Sequence, residues 1–115
     1  MLFNFSLSEQ QSCTILSLEG ELIEKNQAID LLKKMDELIA SGKTKIAINL
    51  ANLKYMNSSG LNTMIQLLTK SRNEGGEVVI CNMNKKINEL LLITKLNTLF
   101  KVVETEAEAI SLLGK

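Results

Sequence analysis

Lys45-Ile46-Ala47-Ile48-Asn49-Leu50-Ala51-Asn52-Leu53-Lys54-Tyr55-Met56-Asn57-Ser58-Ser59-Gly60-Leu61 is the stretch whose reading decides the fold. Ile46, Ile48 and Leu50 alternate with smaller or polar residues, the two-residue period of a strand with a buried face. A short polar loop is expected after Leu50. Near Ser58 the period changes, because Leu61, Met64, Ile65 and Leu68 fall at i, i+3, i+4 and i+7, the apolar stripe of a helix. Gly75-Gly76 stops that helix. Glu77–Cys81 then follows with the dense apolar run Val78-Val79-Ile80, which suits a strand covered on both faces. Strand, helix and strand in this order form a crossover unit between parallel strands.

The flanks extend the pattern. Upstream, Phe3, Phe5 and Leu7 alternate as a strand, Ser8–Ser12 reads as a turn, and Cys13–Glu19 reads as a second strand closed by Gly20. So short a connection makes an antiparallel hairpin. Ala28, Leu31, Leu32, Met35, Leu38 and Ile39 form one helical stripe, with Asn26 as the expected cap and Gly42 as the stop. Downstream, Asn82–Asn84 turns into a helix with Ile87, Leu90, Leu91 and Leu96 inward. Phe100, Val102 and Val103 make a last short strand. Thr105 and Glu108 form a capping box for a terminal helix carrying Ile110 and Leu113. The predicted fold class is α/β: one domain over residues 1–115, with a mixed, mostly parallel sheet, an N-terminal hairpin and about four covering helices.

Composition narrows the function. Apolar residues make up 45% and charged residues 23%, as in globular chains, while aromatics are only 3%, so Leu, Ile, Val, Met and Ala must build the core. The thirteen basic and thirteen acidic residues cancel, which removes any chain-wide attraction to nucleic acid or an anionic membrane. Locally the charge is uneven. Residues 1–42 carry three Lys and seven acids, residues 43–101 carry nine basic residues and three acids, and the tail from Val102 carries three Glu and one Lys. A lopsided surface of this kind either orients a partner or is simply solvated.

The chain has no His, the side chain best suited to proton transfer at neutral pH and the commonest metal ligand. It also lacks a C-x-x-C pair and a G-x-x-x-x-G-K-[ST] loop. Neither catalytic nor metal-binding residues are expected, nor any cofactor. Cys13 and Cys81 lie within apolar runs and read as small buried residues. No signal peptide and no stretch long enough to cross a bilayer is visible, so a cytoplasmic location is expected.

Chemistry concentrates at Asn57-Ser58-Ser59-Gly60. Two hydroxyls sit at or beside the first turn of a helix, where backbone N–H groups lack intrahelical partners and the dipole is positive. A phosphate there would be favoured by those donors, yet would place nearly two negative charges on a docking surface. Asn-Ser-Ser before a helix is also what ordinary capping looks like, and spacing alone leaves both readings open. Gly60 is expected to leave the loop backbone uncovered for a partner, so that Gly60→Val should disturb binding more than folding.

Asn57-Ser58-Ser59-Gly60-Leu61, following the strand Ile46–Leu50, resembles the Asp-Ser-[Ser/Thr]-Gly-Leu signature of STAS domains, the family of the anti-sigma factor antagonists. Gly20-Glu21-Leu22 resembles the family's Gly-Glu-Leu-Asp turn, and Gly75-Gly76-Glu77-Val78 its glycine turn into the next strand. The resemblance covers nearly the whole chain. It implies a regulatory protein, not an enzyme, that binds an anti-sigma factor which is also a serine kinase. Phosphorylation at Ser58, with Ser59 as the alternative, would release that partner, and a PP2C-type phosphatase would reset the switch. Partner contacts would come from Glu21, Ile23, Asn57, Ser58, Ser59, Gly60 and Asn62. The alternative is a STAS adaptor that is never phosphorylated, held in a lipid-transport or stress-signalling assembly. An open strand edge is compatible with a monomer or a weak homodimer. Ile23, Asn49 and Asn57 stand where the family has Asp, and each is expected to remove a carboxylate near the docking face.

Overall fold

The structure is a computed structural model that describes residues 3–10 and 13–114. Five strands form one sheet in the order β1-β2-β3-β4-β5, which is also their order in the chain. β1 (Phe3–Gln10) and β2 (Cys13–Leu22) are the antiparallel pair; β3 (Lys45–Met56), β4 (Glu77–Cys81) and β5 (Lys101–Val102) each add parallel to the strand before. The helices are α1 (Ile29–Ala40), α2 (Ser58–Asn73), α3 (Lys85–Ile93) and α4 (Glu106–Leu113). The α/β class, the hairpin and the four helices agree with the pattern in the sequence.

The sheet has two unequal sides. Leu16, Leu18, Ile46, Ile48, Leu50, Val78 and Ile80 meet Leu31, Met35, Leu61, Met64, Leu67, Ile87 and Leu91, so α1, α2 and α3 share the larger core. On the other side Cys13, Ile15, Ala47, Val79 and Cys81 are covered by Ala109 and Leu113 of α4. Val78-Val79-Ile80 is thus buried on both faces, as its composition requires. Cys13 and Cys81 are free and buried. Burial pushes both thiols up, Cys81 to about 11, and the charge of Glu106 adds to the effect.

Several boundaries differ from the expectation: α3 ends at Ile93 and leaves Leu96 to a separate 3-10 turn, β5 spans only Lys101–Val102 without Phe100 or Val103, and four more differences lie upstream. Ser8–Gln10 belongs to β1 rather than to a turn; residues 11 and 12 lie outside the described residues. Gly20 does not close β2. It sits inside the strand at φ +91°, where the register against β3 shifts twice. Such bulges add twist and let β2 run on to Leu22. β3 likewise continues from Leu50 to Met56, replacing the predicted polar loop. Finally, Asn26 does not cap the first helix. It lies within a 3-10 turn, Lys25–Ala28, that is capped by Glu24 with Gln27 reaching back, and α1 starts only at Ile29.

Candidate docking site

β3 delivers the chain to the rim formed by the carboxyl ends of the parallel strands, the customary place for binding sites in open α/β sheets. There Asn57 is the N-cap of α2. Its Oδ1 accepts from the Gly60 N–H at 3.2 Å, and its Nδ2 donates to the Ile23 carbonyl at 2.9 Å. The Ile23 N–H in turn donates to Gln27 Oε1 at 2.9 Å, an oxygen that the Glu24 N–H also uses. Both backbone groups of Ile23 are therefore held, and the exit of β2 is tied to the start of α2. A carboxylate at position 57 could cap the helix but could not donate to Ile23.

Because Asn57 does the capping, the two serines are free of that task. Ser58 and Ser59 occupy the first helical turn and are exposed, as is Asn62 one turn on. They line a cleft of about 290 Å³ together with Lys25, Leu32 and Gln66. Lys25 is the one charged residue of that lining. Ile29, the first residue of α1 after the turn that holds Lys25, is 61% exposed. Lys25, Ile29, Leu32 and Gln66 were not singled out by motif. The box Glu24-x-x-Gln27 was the available signal that the 25–29 segment would be folded back as a turn.

The remaining expected contacts divide. Glu21 and Ile23 are half-buried at the carboxyl end of β2, where Glu21 registers with Tyr55 of β3. They share the rim with Asn57, Ser58, Ser59 and Asn62. Gly60 does not face a visitor. It is buried, and a Cβ at that position would come within 2.5 Å of the Leu22 carbonyl and 2.6 Å of Met56 Cβ. Glycine is needed there so that α2 can seat against the ends of β2 and β3, which corrects the expectation that it keeps the loop open. Asn49 is also elsewhere. Its Nδ2 donates to Glu106 Oε2 at 2.7 Å on the α4 side of the sheet, so its missing carboxylate takes nothing from the docking rim.

Among the described residues no cluster of His, Cys, Asp and Glu is placed to hold a metal, and no helix is long and apolar enough to cross a membrane.

Comparison with known proteins agrees with this architecture. The "Anti-sigma F factor antagonist" of Paenibacillus polymyxa is 27% identical over 113 residues, covering 96% of this chain and 95% of its own. The crystal structure of a Thermotoga maritima protein proposed to be an anti-sigma factor antagonist superposes with a TM-score of 0.87 at 25% identity, over 96% of this chain and 95% of that one. SpoIIAA, the Bacillus cell fate determinant, solved in its phosphorylated form, shares the fold at a TM-score of 0.72 and 23% identity, over 94% and 97% of the two chains. The family model of the STAS domain matches residues 4–109, and the chain belongs to that family.

Proposed function

We propose that this chain is an anti-sigma factor antagonist that docks on its partner through the rim around Ser58 and is released when Ser58 is phosphorylated. The partner is an anti-sigma factor with serine kinase activity, and a PP2C-type phosphatase restores the docking form. The observation that carries this reading is the division of labour at the start of α2: Asn57 caps, and the hydroxyls of Ser58 and Ser59 stand exposed in the first turn. A phosphate on Ser58 would lie near the positive end of a helix, in a cleft whose one charged side chain is Lys25. The domain would tolerate it. A docked partner would have to desolvate the new charge, and without an Arg or Lys of its own it would be expelled.

The 27% identity to an anti-sigma F factor antagonist, spread over nearly the full length, supports the partner class. It also supports a regulatory rather than catalytic role. Incubating the chain with ATP and an anti-sigma factor kinase should add one phosphate by intact mass, and Ser58→Ala should abolish it. Ser58→Asp should lose the partner in a pull-down, whereas Ser58→Ala should retain it. Equal retention by wild type and both variants would refute the switch and leave a permanent adaptor. Labelling that survives Ser58→Ala but not Ser59→Ala would move the site by one residue.

A further inference from the structure

β1 is an outer strand, and its second edge meets no other strand among the described residues. Proteins usually blunt such edges with Lys, Pro, a bulge or a very short strand. β1 has none of these. It pairs with β2 over eight residues in unbroken register, and its one charge, Glu9, is ion-paired with Lys43 of the same chain at 2.5 Å. Phe3, Phe5 and Leu7 point to the main core but stay half-buried, packed against it from the edge.

We propose that β1 is a self-association surface, where two copies pair their β1 strands antiparallel about a two-fold axis at Phe5 and join their sheets. Phe5 then faces Phe5 of the second copy, Phe3 faces Leu7, and Asn4 faces Ser6. This register matches all three apolar residues with apolar partners on the core side and leaves the polar residues together on the other. It opposes no like charges across the strands. A slip by one residue would set apolar against polar side chains and turn the second sheet over. An edge-to-edge strand pair is small against the roughly 1,600 Å² of a standard interface, so the dimer is weak and concentration-dependent. Ser58 takes no part in the pairing.

Sedimentation equilibrium of the full chain between about 10 μM and 1 mM tests this. A monomer–dimer equilibrium is expected. Asn4 and Ser6 are exposed, so charges placed there leave the core alone. Asn4→Lys with Ser6→Lys brings two Lys–Lys pairs together and should weaken association about tenfold. Asn4→Lys with Ser6→Glu converts the same contacts into Lys–Glu pairs and should associate at least as tightly as wild type. A wild-type chain that is monomeric up to 1 mM, or two double variants that associate equally, would overturn the proposal.

Discussion

Replacing Gly60 tests the seating of α2 directly. Position 60 lies in the first turn of α2, where alanine is ordinarily about 1 kcal/mol more favourable than glycine. On propensity alone, Gly60→Ala should stabilise the protein. The structure predicts the reverse. A Cβ there lies 2.5 Å from the Leu22 carbonyl oxygen and 2.6 Å from Met56 Cβ. The first of these is backbone, and Leu22 and Met56 are paired to one another across β2 and β3, so neither neighbour can rotate away. Helix and sheet must separate by roughly an ångström, and overpacking of this kind costs about 1–3 kcal/mol. After the propensity gain, Gly60→Ala should show a net loss of up to about 2 kcal/mol. Gly60→Val, with two further methyl groups and poorer helix propensity, should lose about 3 kcal/mol or more. Urea unfolding, with the midpoint compared at constant m, reads these losses, and Tm should fall by about 4 °C per kcal/mol. If Gly60→Ala proved more stable than wild type, or Gly60→Val folded normally and lost only partner affinity, the packing argument would be wrong.

Three other outcomes are expected. Burial pushes the Glu77 carboxyl up, but hydrogen bonds from Arg72, from the Val78 N–H and from Lys101, with the charge of Arg72, outweigh it and hold the group below its usual 4.5; the carboxylate therefore stabilises the fold above pH 4.5, and Glu77→Gln should be about 1 kcal/mol less stable than wild type at pH 7, the gap closing below pH 4.5 in pH-dependent urea titrations. Asn49→Asp exchanges the 2.7 Å hydrogen bond to Glu106 for two facing carboxylates and should cost about 1–2 kcal/mol at pH 7, a loss that shrinks in acid as the carboxylates protonate, measured in the same titration. Cys13 and Cys81, buried and with raised pKa values, should react with a thiol reagent in native buffer at well under a tenth of the rate seen in denaturant; rapid native labelling of either would show that α4 does not seal its side of the sheet.

Where one face of an element is buried, the residues announce it. The stripes of α1 and α2 and the run Val78-Val79-Ile80 were legible for that reason. The continuation of β3 was not, because Ala51–Met56 lies opposite the irregular part of β2, where register shifts break the two-residue period. Ser8–Gln10 read as a turn because an edge strand buries little and so carries little pattern. At the site, Asn57 and the two serines were visible from spacing, since capping has a short-range signature. The inward direction of Gly60 was present but overlooked, as it precedes Met64 by four residues and Leu67 by seven on the buried stripe. Asn49 offered a similar clue, since it alternates with Ile48 and Leu50 and so had to face the other way. The tie from Asn57 to Ile23 spans 34 positions, and no local pattern encodes a contact between backbone and side chain at that distance.

Strand order identical to chain order has a kinetic consequence. Each new strand adds to the free margin of what is already assembled, so the chain never has to prise apart two bonded neighbours to insert a latecomer. Every parallel closure along the sheet then spans one α-helix and its loops, which keeps the entropic barrier to that pairing low. A chain emerging from the ribosome could lay down the hairpin first and extend the sheet one unit at a time, the terminal helix sealing the second side last.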